Sequence, residues 1–363
     1  MMKAGVWRAA SRWIAGLAGM TVCAVAVANP PSTARAERLR FDADHGAWVE
    51  IPAAAPGTAE GDLAVARSMF TDGKHRNARG AMRRWHKQYG ESSDLYPDAL
   101  LLSAQIDKAL RDYYVAGQLL DQIIEDYPGI ATAREALVEI FNVAEVFLSG
   151  VRRKVWGIPL LRADDWALDV LDRISTEYTK DPLAELAVKT KGDYYYGRGD
   201  FSLAELEYAR VLQDFPASRY RQYSMRRAAD SAVASFNGIL FDDAPLVEAE
   251  ERFRQYVSEY PGVAEQEGVS LQLQDIREKR ASKEFEVGDY YQRTGHLKAA
   301  AFYYQSVLTH WPETVAARRS EGAIAALPPT LAPDQPPTLP EGRPELQEPA
   351  RQFPGKEEGV DGK

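Results

Sequence analysis

From about residue 60 to 326, apolar positions recur at spacings of three and four, the period of one face of an α-helix, and runs of alternating β-branched residues are absent. The stripes are interrupted by an aromatic residue followed by proline or another turn former. These pairs are Tyr89-Gly90, Tyr127-Pro128, Tyr178-Thr179, Phe215-Pro216, Tyr260-Pro261 and Trp311-Pro312, spaced 38, 51, 37, 45 and 51 residues apart. Each marks a helix end, because proline has no amide hydrogen and clashes with the preceding turn. Two helices can be read inside each unit. In the fourth, 184–196 is followed by Gly197-Arg-Gly-Asp200 and then 202–214, with Ala204, Tyr208 and Val211 on one face. Gly199 supplies the tight turn, and Asp200 or Ser202 is predicted to cap the second helix.

Counted back from the terminal proline, the fourth unit places Gly192, Tyr195, Gly199, Ala204 and Tyr208 at the same offsets at which the sixth places Gly288, Tyr291, Gly295, Ala300 and Tyr304. This is the tetratricopeptide pattern, a repeat of about 34 residues. The other units match it less fully, with Ala66, Ala78 and Met82 in the first, Ala104, Ala116 and Leu120 in the second, Ala167 and Leu171 in the third, and Ala249 and Phe253 in the fifth. Small residues recur where two helices cross closely. A single pair cannot bury its apolar stripe, so the expected fold is all-α, a tetratricopeptide superhelix of about six helix pairs spanning 60–326, with a concave groove lined by first helices.

The flanks read differently. Met1 to Ala28 carries Lys3, Arg8 and Arg12, no acid, a short apolar run and the ending Ala26-Val27-Ala28, the pattern of a secretory signal peptide cut before Asn29. Cys23 is the only cysteine. Cleavage after Ala28 would leave a mature chain with no disulfide, thiol nucleophile or cysteine-ligated metal. The alternative is lipidation at Cys23, although Val22 stands where lipoprotein signals carry Gly, Ala or Ser. Residues 29–59 read as a flexible arm with an aromatic island from Phe41 to Ile51. Nine of the 21 prolines fall between Pro328 and Pro354, so 327–363 reads as a disordered tail. The formal charge of −9 argues against a nucleic-acid partner. An apolar fraction of 45% with 27% charged residues argues against a disordered polyelectrolyte or a multi-span membrane protein.

Candidate binding residues come from two places. Tyr195, Tyr208, Tyr291, Tyr304, Phe215 and Trp311 occupy packing positions of the repeat, whereas Tyr194, Tyr196 and Tyr290, beside them, are expected to face the groove. The third unit contains an insertion, 150–162, where Arg152, Arg153 and Lys154 adjoin Trp156. It reads either as a surface for an acidic partner or lipid headgroups with Trp156 as anchor, or as a solvated loop whose Trp packs on its own helices.

No nucleophile, base and orienting group converge in a recognisable context, and no HExxH, CxxC, GxGxxG, GxxxxGK[ST] or GxSxG occurs. His45, His75, His86, His296 and His310 are scattered. Glu205, Glu207, Glu248, Glu250 and Glu251 read as surface charge, with Glu250 and Arg254 an i,i+4 pair. A non-enzymatic protein with no catalytic residue, no cofactor and no metal is expected.

The aromatic-proline landmarks, the stretch from Ala281 to Ala301 (ASKEFEVGDYYQRTGHLKAAA around Gly288 and Tyr291) and the following YQSVLTHWPET from Tyr304 resemble the outer membrane assembly lipoprotein family of the BamD or YfiO type. The likeness covers about 60–320 and is strongest at its C-terminal end. It implies a scaffold, either in the periplasm or attached to the inner face of the outer membrane, that helps fold and insert outer-membrane β-barrel proteins. By place in the chain, Tyr113 and Tyr114 would fall in the half that engages unfolded barrel segments. Tyr290 to Arg293 would fall in the half that docks the periplasmic domains of the insertase. Family members typically have five repeats, and six units are counted here. The alternative class is a general periplasmic adaptor that organises cell-wall or division enzymes or an export complex.

Overall fold

The computed structural model describes residues 39–42, 47–50, 55–239 and 241–328, so the segment expected to be a signal peptide, Cys23 with it, and residues 329–363 lie outside the described residues. The chain divides into two units, Met1–Ala55 and Pro56–Lys363. In the first, within the segment read as a flexible arm, β1 (Leu39–Asp42) and β2 (Ala47–Glu50) pair antiparallel, Phe41 opposite Trp48.

The second unit is helical. Its pairs are α1 (Ala59–Thr71) with α2 (His75–Gln88), α3 (Tyr96–Ala109) with α4 (Tyr113–Asp126), and α5 (Ala131–Leu148) with α6 (Asp164–Glu177). They continue with α7 (Pro182–Arg198) and α8 (Phe201–Asp214), α9 (Arg221–Ser235) and α10 (Ala244–Glu259), then, after the short α11 (Pro261–Gln266), α12 (Val269–Arg293) and α13 (Leu297–His310). A final helix, α14 (Val315–Ala325), covers the last pair. Each helix packs on its neighbours in sequence, and first helices of successive pairs also touch, α1 with α3, α3 with α5 and α5 with α7. This nearest-neighbour stacking is the tetratricopeptide α-solenoid.

The repeat residues explain the packing. Ala66, Ala78, Ala104, Ala116, Ala167, Ala204, Ala249 and Ala300 are buried to 1% exposure or less, where a larger side chain would push paired helices apart. Tyr208 and Tyr304 are fully buried, their hydroxyls donating to Asp193 Oδ1 at 2.7 Å and Gln292 Oε1 at 2.6 Å. Burying each ring contributes on the order of 2–3 kcal/mol, and the satisfied hydroxyl avoids the cost of a dry polar group. Tyr291 is buried, while Tyr195, Phe215 and Trp311 are half-buried.

Helix boundaries follow local chemistry. Asp181 caps α7, its carboxylate accepting from the Leu183 amide at 2.9 Å, and Thr314 caps α14 from the Ala317 amide at 3.1 Å. Asp200 stands at the N-cap of α8 but makes no side-chain cap bond, contrary to expectation, because its backbone is not in the extended conformation that aims the carboxylate at the helix amides.

The insertion in the third pair is neither solvated coil nor helix. It forms an antiparallel hairpin of β3 (Arg153–Val155) and β4 (Ile158–Leu161), Val155 opposite Ile158. The turn residues Trp156 and Gly157 have φ of +51° and +82°, the mirror-image turn whose twist matches paired strands.

Candidate protein-binding surface

Two groups of candidates separated by about forty residues meet at the hairpin. The Arg153 guanidinium lies 3.5 Å from the centre of the Tyr114 ring. Lys154 Nζ donates to the Leu110 carbonyl at 2.9 Å and to Asp112 Oδ1 at 2.7 Å. Asp112 also accepts from Arg79 Nη1 at 2.8 Å, which ties α2 to the same corner. Arg153 and Lys154 therefore fasten the hairpin to α4. A cation over an aromatic face contributes about 1 kcal/mol at such a site. Tyr114 further meets Trp166 edge to face, and Tyr113 meets Phe147 in the same way. Trp166 presses on Gly117, where a Cβ would stand 2.6 Å from the indole.

Tyr194 and Tyr196 are also turned to internal work. Tyr194 donates to Asp164 Oδ2 at 2.7 Å, and Arg162 and Arg198 converge on the same carboxylate oxygen. Burial pushes the Asp164 carboxyl up, but the hydrogen bonds from Arg162 and Tyr194 and the charges of Arg162 and Arg198 outweigh it and hold the group below its ordinary value. Tyr196 carries the Arg227 guanidinium 3.6 Å over its ring. Both tyrosines are half-buried, and α6 and α9 supply partners that the local sequence does not reveal.

Four of the predicted residues, Arg152, Trp156, Tyr290 and Arg293, stay open to solvent. Trp156, at the hairpin tip, is 97% exposed, and Tyr290 on α12 is 50% exposed. Arg152 is exposed, with its guanidinium reaching the Leu160 carbonyl at 3.5 Å. Arg293, beside Tyr290 on the helix, pairs with Asp289 at 3.0 Å.

Buried charge is the feature the sequence reading missed. Glu250, expected at the surface, is 3% exposed and accepts from Arg280 Nη1 at 2.5 Å, Arg277 Nε at 3.3 Å and Arg254. Glu207 is buried against Lys191, whose Nζ also reaches Asp172 at 2.5 Å. Burial alone would lower the Lys191 ammonium, but the bonds to Asp172 and Glu207 prevail and raise it. The signal was available: Glu250 follows Ala249 and precedes Phe253 by three, and Glu207 follows Ala204 by three, so both lie on buried stripes. Second helices are further joined by arginine to carboxylate pairs, Arg173 of α6 with Asp121 of α4 and Arg252 of α10 with Glu205 of α8.

A cleft of about 570 Å³ opens beside Glu250, lined by Arg254, Arg277, Arg280, Glu284, His310 and Trp311. Within it Glu250 is already committed to three arginines. Among the described residues no cluster of His, Cys, Asp or Glu is arranged to hold a metal ion, and no helix is long and apolar enough to cross a membrane. The arrangement suits recognition by surface contact.

No curated protein matches the chain. Among solved structures, a thermophilic TPR protein of Thermus thermophilus is similar at 14% identity, covering 60% of this chain and 98% of its own, with a TM-score of 0.27. PilW, a widely conserved type IV pilus biogenesis factor, is similar at 17% identity, covering 73% of this chain and 99% of its own, with a TM-score of 0.28. The C-terminal part of a TPR repeat-containing protein from Cytophaga hutchinsonii is similar at 14% identity, covering 71% and 98%, with a TM-score of 0.20. A family model matches residues 164–325, which run from the first residue of α6 to the last of α14. Through that segment, the helix pairs of this tetratricopeptide scaffold match the YfiO family of outer membrane lipoproteins.

Proposed function

We propose that the protein is a non-enzymatic periplasmic scaffold, held at the inner face of the outer membrane, that helps assemble and insert outer-membrane β-barrel proteins. Its helix pairs α7 to α13 dock the periplasmic domains of the insertase, and its earlier pairs engage unfolded barrel segments. The observation that carries this reading is the YfiO match over the whole of α6 to α14. The half-exposed Tyr290 on α12 supports it, since tyrosine offers a wide contact area with a polar end and α12 lies inside the matched segment.

The test is photocrosslinking in intact cells from a reactive residue placed at Tyr290. The expected product joins this chain to a periplasmic domain of the insertase. Stoichiometric recovery of a cell-wall, division or export complex, with no outer-membrane assembly component, would replace this reading with the general adaptor.

A further inference from the structure

We propose that the β3–β4 hairpin is a membrane-interface anchor, which inserts Trp156, Ile158, Leu160 and Leu161 into an anionic lipid surface. It is separate from any acyl chain at Cys23 and from the docking role of α12. The first observation is exposure. Trp156 is 97% exposed, Ile158 64%, Leu160 57% and Leu161 50%, an apolar group larger than the isolated surface residues found elsewhere on these helices.

The second observation is which sides of the ribbon are apolar. Paired residues share a face, so Ile158 and Leu161, opposite Val155 and Arg153, occupy one face and Pro159, opposite Lys154, the other, while a bulge at Leu160 breaks the alternation; all four are exposed. A protein groove covers one face of a ribbon and leaves the other wet. The interfacial layer of a bilayer surrounds a tip and covers both. Strand addition is disfavoured as well. A proline within a strand pair is tolerated where its nitrogen faces the open edge, so Pro159 leaves that edge short of a donor.

Charge selects the surface. Between Gly150 and Ala163 stand four cations and no acid, in a chain whose formal charge is −9. Lys154 is paired with Asp112 and Arg162 with Asp164, which leaves the exposed Arg152 and the Arg153 stacked on Tyr114 as the cations without a carboxylate pair among the described residues. Anionic headgroups are attracted to this segment and repelled by much of the remaining chain. The cations also set the geometry. Arg153 on Tyr114 and Lys154 on Asp112 fix the base, so the tip is presented by a braced element. The turn holds Trp156 at φ +51°, a conformation bulky residues rarely adopt. A strained, fully exposed indole at an aliphatic tip suits the interface, where tryptophan concentrates.

Because Cys23 is the only cysteine, the full chain carrying Cys23→Ser and Leu160→Cys accepts one polarity-sensitive fluorophore at the hairpin. The companion Cys23→Ser, Leu271→Cys places the same label on α12, at a residue 69% exposed. Vesicles of phosphatidylethanolamine with phosphatidylglycerol should shift emission at 160 to the blue and make it quenchable by spin labels near the headgroups, while 271 stays aqueous. Adding Trp156→Ser should weaken vesicle binding about tenfold, and neutral phosphatidylcholine vesicles should bind less. Circular dichroism should show both labelled chains equally folded, since 160 and 271 are exposed. The proposal is overturned if emission at 160 remains aqueous with anionic vesicles, if 160 and 271 respond alike, or if 160 is shielded only when a protein partner is added.

Discussion

Gly192 lies directly beneath the buried ring of Tyr208: a Cβ on Gly192 would stand 2.7 Å from Tyr208 Cε1, closer than any side chain tolerates. Gly288 and Tyr304 repeat the relationship in the last pair at 2.8 Å. A glycine on the first helix and a tyrosine on the second thus set how closely the helices approach in these two pairs.

Gly192→Ala and Gly288→Ala should each destabilise the fold by about 1–3 kcal/mol through overpacking. Tyr208→Phe, which removes one of the two phenol donors to Asp193 Oδ1 and leaves Tyr223 at 2.7 Å, should cost about 1 kcal/mol or less. Urea unfolding checks both. Gly192→Ala combined with Tyr208→Leu should recover part of the loss, which separates the steric contact from a general helix effect.

Glu250→Ala should cost about 1–3 kcal/mol, because Arg280, Arg277 and Arg254 would lose the carboxylate they share. Glu251→Ala, one residue away and exposed, should be nearly neutral. Comparison of their urea midpoints tests whether the buried charge, rather than helix propensity, carries the effect.

Arg111 takes the left-handed turn position, φ +59°, that Gly73, Gly199 and Gly295 fill in other pairs. Arg111→Gly removes the steric penalty of a side chain there and should raise stability by about 0.5–1 kcal/mol after the added freedom of the unfolded chain is counted. An unchanged or lower urea midpoint would contradict this.

Burial lowers the His86 imidazole from its ordinary value, with Nε2 2.9 Å from the Ser103 oxygen. Ser103 donates its own proton to the Ala99 carbonyl at 2.8 Å, so Nε2 is the donor to Ser103. The fold therefore binds a proton on His86 less readily than the unfolded chain. Its contribution is complete above about pH 6.5 and declines as pH falls through that value toward the lower folded one. Burial raises Asp107, Asp121 and Glu205, whose protonation on acidification favours the fold and opposes this trend. Subtracting the pH profile of His86→Gln from that of the parent isolates the histidine. The difference should shrink from pH 7 to pH 5.

Much of the helical unit was legible because its determinants are local. The spacing of Ala204, Tyr208 and Val211 and the stops at Phe215-Pro216 and Trp311-Pro312 depend on residues within one or two turns, so they appear in a one-dimensional pattern. Trp156 was legible as a candidate for the same reason: an apolar residue among cations in a segment too long for the repeat.

The sequence by itself determined the helix pairs, their close glycine and tyrosine crossings, and the place where the repeat is interrupted. Tertiary structure alone decided which partners the buried charges and the candidate side chains take. It closed Tyr114 with Arg153, Tyr194 with Asp164 and Tyr196 with Arg227, and it set three arginines around Glu250. Helical period states which face a residue occupies, but a side chain's partner on another helix depends on the stacking of whole pairs, and that is fixed only when every pair shares its buried seam with the next.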